Sequence, residues 1–296
     1  MEWRAEGILL WVRRHGESSA IVEVLTAEHG RHAGLVQGGA SKAKAQMLQP
    51  GAQLSLEWSA RLSEHLGTYK IDLVRSRAAM IMTSRDSLAA LNVVSALLVK
   101  FTPEREASPK LYAATLELVD SLGDANPYWP VLYAKWELVL LEEIGYGLDL
   151  SRCASTGSRD DLVFVSPRSG RAVCRAAGSP FAARMLPLPQ FLLDRGLPSM
   201  PDIRESLRLT GYFLKNWVCP AFEVQDVPEP RNRLIRLSEQ MKLPLPILGP
   251  QYTDEEKAWL AKYDAAPDEA EEEEAAELLK FATTLPAGLA KPPQDR

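Results

Sequence analysis

Short apolar segments separated by glycine-bearing turns fill the first eighty residues and restrict this region to a β fold. Five candidate strands lie at residues 7–12, 21–26, 33–36, 54–58 and 69–74. The last two alternate apolar and polar side chains, and a period of two places successive side chains on opposite faces of a strand. Gly16 and Gly30 mark the first two turns. Five short strands in so few residues are typical of a compact β-barrel, so the sequence predicts one.

The apolar pattern changes from a period of two to a helical period after residue 78. Helices are predicted over residues 85–100, 108–121, 129–144, 188–194 and 203–219. Ser84 is placed as the N-cap of the first of these helices. Ser108 is a second candidate N-cap, because Pro109 follows it at the first helical position.

The predicted fold class is therefore α+β, with three parts. Residues 1–80 form a five-stranded barrel, and residues 81–250 form an all-α domain with an irregular, ribbon-like insertion at about residues 148–178. Residues 251–296 hold five Lys or Arg against twelve Asp or Glu. Such a composition predicts an acidic, poorly ordered tail.

The formal net charge of −5 conceals a positive region of the chain. Residues 151–250 hold fourteen Lys or Arg against nine Asp or Glu. Mild overall acidity does not exclude a nucleic-acid partner, because the local clustering of positive groups decides binding. No run of about 20 apolar residues occurs, so no transmembrane helix and no membrane partner are predicted. The three cysteines are odd in number and widely spaced, which favours a reducing, cytoplasmic location.

The sequence contains none of the common catalytic motifs. It has no phosphate-binding G-x-x-x-x-G-K-[ST] segment, no G-x-S-x-G nucleophile turn and no H-E-x-x-H zinc helix. His29 and His32 lack neighbours in the sequence that would complete a four-ligand metal site. We therefore predict a protein that is not an enzyme and that carries no cofactor.

Basic residues of the barrel form a candidate nucleic-acid surface. The segment over residues 38–46 carries paired glycines and two lysines, and we expect a mobile loop there. The candidates for contacts to DNA phosphates are Arg13, Arg14, Arg31, Lys42, Lys44 and Arg61. Trp58 and Tyr69 are candidate surfaces on which bases stack. A solvated loop beside buried aromatic side chains is the alternative.

The insertion keeps the spacing of a zinc ribbon but only half of its ligands. The four ribbon positions are occupied by Cys153, Thr156, Cys174 and Ala177. Two thiolates do not complete a tetrahedral zinc site, so the sequence predicts no bound metal.

The same insertion is basic and supplies a second candidate DNA surface. Between residues 152 and 184 it holds six arginines and two aspartates. Arg168 and Arg171 flank a Ser-Gly turn, and Arg175 follows a strand-like segment. Arginine is well suited to phosphate contacts. A solvated charged face is the ordinary alternative.

The order of these features resembles the RecO family of bacterial recombination-repair proteins. The matching segments are residues 12–22 with their Gly16-Glu17-Ser18 turn, 28–34, 38–42, 48–51, 145–154 and 166–170. The resemblance covers roughly residues 1–240 and rests on the ordered set of segments rather than on a single motif. The basic loop holds fewer arginines than is common in that family, and the ribbon lacks two of four cysteines.

The resemblance implies an N-terminal OB-fold, a central helical domain and a ribbon-like insertion. It implies a recombination mediator in DNA repair that binds single- and double-stranded DNA and anneals complementary strands. The implied partners are RecR, the C-terminal tail of single-stranded DNA-binding protein and, indirectly, RecA, which the mediator helps to load. The implied location is the cytoplasm, in association with the nucleoid.

A protein-interaction adaptor of the repair machinery is the alternative function. In that case the barrel and the helical domain bind partners, and DNA contact is secondary. Changing Lys42 and Lys44 to glutamate distinguishes the two, because an adaptor would lose partner binding and retain DNA binding.

Overall fold

The structure is a computed structural model that describes residues 1–243. Within this range an N-terminal β-sheet is followed by a helical part that carries a second, smaller sheet. The mixed α+β class is therefore confirmed. The predicted acidic tail over residues 251–296, and the last residues of the predicted helical domain, lie outside the described residues. The predicted domain boundaries stay predictions.

Five strands form the N-terminal sheet, the number that the alternating pattern predicts. They are β1 (Glu2–His15), β2 (Ser19–Thr26), β3 (Gly30–Val36), β4 (Gln53–Ser59) and β5 (Thr68–Arg75). The longest, β1, pairs with β4 over residues 2–8 and with β2 over residues 7–15. A register shift between Leu9 and Trp11 marks an irregularity in β1, of the kind that bends a strand. One long strand thus pairs with two neighbours in succession.

The sheet closes on itself in the order β1-β2-β3-β5-β4, with β4 paired back to β1. The pairing of β3 with β5 is parallel, whereas the other four pairings are antiparallel. Leu9 lies in the apolar cluster that fills the closed sheet, while Ile8 and Leu10 pack into the helical core. Residues 7–10, the first four of the apolar run over residues 7–12, are apolar because β1 is buried on both faces there, whereas Trp11 is exposed.

A short helix, α1 (Lys42–Met47), lies between β3 and β4. It corrects the expectation of a mobile loop over residues 38–46. The side chain of Ser41 accepts a hydrogen bond from the backbone N–H of Lys44, so a serine N-cap starts the helix. Only residues 37–41 remain as the turn that precedes it.

The helical part begins directly after β5. Its helices within residues 1–243 are α2 (Ala78–Thr83), α3 (Arg85–Phe101), α4 (Pro109–Gly123), α5 (Trp129–Glu143), α6 (Arg175–Gly178), α7 (Met200–Phe213), α8 (Cys219–Ala221) and α9 (Glu229–Ser238). A π-helical turn at Leu214–Val218 joins α7 to α8, and 3₁₀ turns lie at Ser179–Arg184 and Gln190–Leu193. None of the described helices has the length and apolar character required to cross a membrane.

The two predicted N-caps behave differently. The side chain of Ser84 accepts from the backbone N–H of Ser87 and caps α3, which confirms the first prediction. Ser108 occupies the N-cap position of α4, as predicted, but its hydroxyl makes no capping hydrogen bond and donates instead to Glu143 at the end of α5. Pro109 nevertheless starts α4, because proline at the first helical position needs no N–H partner.

The insertion contains a small three-stranded sheet. Its strands are β6 (Leu162–Val165), β7 (Ala172–Cys174) and β8 (Leu186–Pro187), in the order β7-β6-β8. Leu162, Val165 and Ala172 are buried in the same apolar cluster as the helices. The insertion therefore packs onto the helical core.

Arg77 joins the barrel to the helices. Its guanidinium is buried and donates to the carbonyl of Gly51 and to the side chain of Gln53, both at 3.0 Å, on the barrel side. Its Nε donates to Asp120 of α4 at 2.6 Å. A buried guanidinium needs such a full set of acceptors, because an unpaired charge in the interior is costly.

Candidate nucleic-acid interface

Four of the six basic barrel residues that are predicted to contact DNA phosphates lie at one end of the barrel. The turn between β1 and β2 touches the segment before α1, since the N–H of Ala40 donates to the carbonyl of Ser18 at 2.9 Å. Arg14 and Ala20 are paired residues beside this turn. The resulting hairpin surface, as we call it, consists of Trp11, Arg13, Arg14, Lys42 and Lys44.

Trp11 is the member of the hairpin surface that sequence reasoning missed. Its side chain is exposed on β1, and the guanidinium of Arg13 lies 5.6 Å from the centre of its ring. Residues two apart on a strand share a face, so the Trp-x-Arg spacing was the available signal. A cation held over an exposed indole offers both a charge for a phosphate and an aromatic face for a base.

The lysines of the hairpin surface are positioned by α1. Lys42 is exposed at the first residue of the helix. The ammonium of Lys44 donates to the carbonyl of Gln37 at 2.7 Å, and thereby joins the helix to the turn before it. Lys42 is therefore the lysine whose charge is turned towards solvent, while Lys44 also stabilises the turn.

Trp58 and Tyr69 are not stacking surfaces for bases, because both are buried in the barrel. Their residues are 2% and 3% exposed. The indole N–H of Trp58 donates to the carbonyl of Leu66 at 3.0 Å. The two residues are partners in the pairing of β4 with β5 and lie on its inner face. Alternation predicted the strands correctly but does not tell which of the two faces is inside.

Arg31 is not placed to contact phosphate either. Its side chain is 11% exposed and forms an ion pair with Glu23. Through Nε and Nη2 it also donates to the carbonyl of Thr102, at 3.1 and 2.9 Å. Since Thr102 ends α3, this arginine binds the barrel to the helical part.

Arg61 lies apart from the hairpin surface. It follows Ala60, whose carbonyl accepts a hydrogen bond from the N-terminal ammonium of Met1. It is therefore beside the first residues of β1, whereas Arg13 and Arg14 lie near the last. The loop that holds Arg61 is tied to the helical part by Arg105, which donates to the carbonyls of Ser63 and His65.

A cluster of aromatic and imidazole rings lines the barrel near this loop. Trp3 stacks on His29 with ring centres 4.1 Å apart. His32 packs edge-on against Trp3 and Trp58, and its Nδ1 is 2.9 Å from the hydroxyl of Tyr69. Burial, with a smaller contribution from the charge of Arg105, lowers the pKa of His32 to about 4. His32 is therefore neutral at physiological pH.

Acidification is expected to destabilise the protein through His32. The unfolded chain takes up a proton near the ordinary pKa of 6.5, whereas the folded chain resists until about pH 4. The contribution of neutral His32 to the free energy of unfolding is thus complete above pH 6.5. It declines as the pH falls towards 4, by about 2.5 kcal/mol between pH 7.5 and 4.5. Urea unfolding at both pH values tests this. His32→Gln should lose less stability over this interval than the wild type, and equal losses would contradict the assignment.

The three arginines predicted in the insertion differ in their surroundings. Arg168 is exposed on the turn between β6 and β7. Arg171 pairs with Asp149 at 3.3 Å, and Arg175 pairs with Asp161 at 3.2 Å. Two of the three are therefore neutralised by neighbouring carboxylates, which leaves Arg168 as the strongest candidate in the insertion.

Three of the four ribbon positions, Cys153, Thr156 and Cys174, lie next to one another. Cys153 and Cys174 are buried, and the sulfur of Cys153 accepts a hydrogen bond from the backbone N–H of Cys174 at 3.3 Å. The hydroxyl of Thr156 is 3.7 Å from the sulfur of Cys174. Ala177 packs against the apolar core. The donor set is thus two thiols and one hydroxyl, and residues 1–243 hold no group of three or more His, Cys, Asp or Glu placed to bind a metal.

Two protein-family models match the chain in succession. The model described as Recombination protein O N terminal matches residues 1–77. The model described as Recombination protein O C terminal matches residues 82–219. The first range contains the closed sheet, and the second contains the insertion and the helices from α3 to the start of α8.

Curated relatives from three genera carry the name DNA repair protein RecO. That of a Ruegeria species is 53% identical over 235 residues, which cover 79% of this chain and 97% of that protein. That of Cereibacter sphaeroides is 52% identical over 237 residues, covering 80% of this chain and 98% of that protein. That of Dinoroseobacter shibae is 46% identical over 235 residues, covering 79% and 97%. The chain therefore belongs to the RecO family of DNA repair and recombination proteins.

Proposed function

We propose that this chain is a recombination mediator with no catalytic activity of its own. In this proposal it binds single- and double-stranded DNA, anneals complementary strands, and acts with RecR to help load RecA. The DNA that it acts on is coated by single-stranded DNA-binding protein, whose C-terminal tail is a further partner. Family membership supports the role in repair and recombination. The partners and a cytoplasmic, nucleoid-associated location follow from the same family resemblance.

The observation that carries the DNA-binding step is the hairpin surface. It holds the guanidinium of Arg13 against the exposed indole of Trp11 and brings Arg14, Lys42 and Lys44 to the same end of the barrel, where β1 turns into β2. Cationic side chains that neutralise phosphates release counterions, and an indole stacks on bases of any sequence. This combination suits single-stranded DNA without sequence preference.

The strand order supports an OB-type interpretation of the barrel. A five-stranded Greek-key barrel of this kind binds oligonucleotides on strands β2 and β3 and on the loops after β1 and β4. The loop after β1 belongs to the hairpin surface, and the loop after β4 carries Arg61. In this interpretation DNA passes from the hairpin surface towards Arg61, and Arg168 of the insertion contributes a second contact.

Lys42→Ala is expected to weaken binding of single-stranded DNA to a similar extent for all sequences. Removing one phosphate contact should also reduce the slope of log K against log salt by about 1. The measurement is fluorescence anisotropy of a labelled oligonucleotide with the full-length chain, between about 50 and 200 mM salt. Arg14→Ala should behave in the same way.

Lys70→Ala is the matched control for this experiment. Lys70 projects from β5, where its side chain is 89% exposed and its ammonium lies 3.8 Å from Glu57. Lys70→Ala removes one positive charge from the barrel, as Lys42→Ala does, but outside the hairpin surface. Its slope of log K against log salt should therefore stay close to that of the wild type. Equal effects of Lys42→Ala and Lys70→Ala would contradict a localised DNA surface. The alternative function, a protein-interaction adaptor, would be favoured if changing Lys42 and Lys44 to glutamate left DNA binding intact and abolished partner binding.

A further inference from the structure

The two thiols of the insertion are held beside each other by the backbone around them. Ala154, next to Cys153, donates its N–H to the carbonyl of Ala172 at 2.8 Å, two residues before Cys174. The backbone N–H of Cys174 itself donates to the sulfur of Cys153 at 3.3 Å. Two independent hydrogen bonds therefore fix the separation of the segments that carry the two cysteines.

The hydrogen bond from Cys174 also holds the sulfur of Cys153 close to the backbone of Cys174. Because the N–Cα bond is about 1.5 Å long, the sulfur of Cys153 lies within about 4.8 Å of the Cα of Cys174. The hydroxyl of Thr156 hydrogen-bonds to the sulfur of Cys153 and lies 3.7 Å from that of Cys174. One small group thus lies against both sulfurs.

The surroundings of Cys153 favour its thiolate, the form that reacts with oxidants. Burial opposes ionisation, but hydrogen bonds from Thr156 and from backbone N–H groups outweigh it and lower the pKa of Cys153 to about 6. By contrast, burial raises the pKa of Cys219, the third cysteine, which lies in α8. The chain therefore contains one activated thiol with a neighbouring thiol, and one thiol that burial keeps protonated.

We propose that Cys153 and Cys174 are a peroxide-sensitive pair that forms a reversible disulfide within the insertion. The thiolate of Cys153 attacks one oxygen of a peroxide such as H₂O₂, the O–O bond breaks, and hydroxide leaves. The sulfur of Cys174 then attacks the resulting sulfenic acid, the S–O bond breaks, and the oxygen leaves as water. Two thiols are oxidised, and one peroxide is reduced to two waters. The cross-link closes a loop that contains β6 and the turn with Arg168.

The test treats the full-length chain with H₂O₂, then alkylates the remaining thiols under denaturing conditions and measures the intact mass. The number of alkylated cysteines should fall from three to one. Before alkylation the mass should fall by about 2 Da for the two hydrogens lost. Peptide mapping should join the segments around Cys153 and Cys174, and dithiothreitol should restore three thiols.

Two variants separate the proposed pair from general oxidation. Cys219→Ala should form the same disulfide as the wild type. Cys174→Ser should form none and should instead accumulate oxygen adducts on Cys153, with a circular dichroism spectrum that shows the fold is retained. Three alkylated thiols after peroxide, or oxygen adducts on Cys153 of the wild type without a cross-link, would overturn the proposal.

Discussion

Replacing Glu137 with alanine is expected to lower the free energy of unfolding by about 3 to 5 kcal/mol. Glu137 in α5 is 0% exposed, and Arg231 in α9 is 3% exposed. Nε and Nη2 of Arg231 donate to the two carboxylate oxygens of Glu137 at 2.7 and 2.8 Å. The pair is therefore bidentate and shielded from water, so removal of the carboxylate leaves a guanidinium charge in the interior.

The remaining bonds around this pair show why it is costly to break. The hydroxyls of Tyr133 and Thr210 also donate to Glu137. Arg231 donates in addition to the carbonyl of Leu207 at 2.7 Å. Burial, reinforced by the charge of Glu137, raises the pKa of Tyr133 well above its usual range, so the phenol stays protonated and donates. The network joins α5, α7 and α9.

A double variant distinguishes the loss of the pair from the creation of a buried unpaired charge. Arg231→Met should destabilise the protein as Glu137→Ala does, because it leaves the carboxylate unpaired. The double variant Glu137→Leu with Arg231→Met replaces the pair by apolar groups and should recover most of the loss. Urea unfolding of all forms at neutral pH measures the free energies. Additive losses in the double variant would contradict this account.

The five strands of the barrel and the helices α3, α4, α5 and α7 were predictable because they depend on local patterns. The helices α1, α2 and α9 were not predicted, and the helix predicted over residues 188–194 is a 3₁₀ turn at Gln190–Leu193. A period of two in residues 54–58 and a serine cap at Ser84 are visible in a few neighbouring residues. Closure of the sheet decides which side of a strand faces inward, and a local pattern does not show it. For this reason the prediction that Trp58 and Tyr69 lie on the surface is wrong. Likewise, the sequence alone presents Arg31 as a surface cation, because its bond to Thr102 spans 71 residues.

Contacts between residues that are far apart in the sequence explain the other differences between prediction and structure. Glu137 and Arg231 are 94 residues apart, and neither pattern nor spacing indicates that they meet. In the candidate site, charge alone indicates Arg13, Arg14, Lys42 and Lys44. The hydrogen bond between Ser18 and Ala40 brings their segments to one end of the barrel. Arg171 and Arg175 were equally charged candidates, but their carboxylate partners could not be read from composition.

Gly30→Ala is expected to destabilise the contact between the barrel and the helical part. Gly30 begins β3 with a φ of +56°, a conformation that costs an alanine about 1 to 2 kcal/mol. A Cβ atom built there would lie 1.8 Å from the carbonyl oxygen of Glu106, in the segment between α3 and α4. Overpacking of this kind costs a further 1 to 3 kcal/mol, roughly. The expected loss in the free energy of unfolding is therefore about 2 to 5 kcal/mol.

Gly16→Ala separates the backbone cost from the collision. Gly16 has a φ of +63°, and a Cβ there would meet no atom within 4 Å. Gly16→Ala should therefore lower the free energy of unfolding only by the backbone cost of about 1 to 2 kcal/mol. The segment displaced by Gly30→Ala includes Arg105, whose N–H donates to the carbonyl of Arg31 at 2.8 Å. Limited proteolysis should therefore cut near residues 102–108 faster in Gly30→Ala than in Gly16→Ala. Equal stability losses and equal cleavage rates would show that the close approach to Glu106 is not what holds the barrel against the helices.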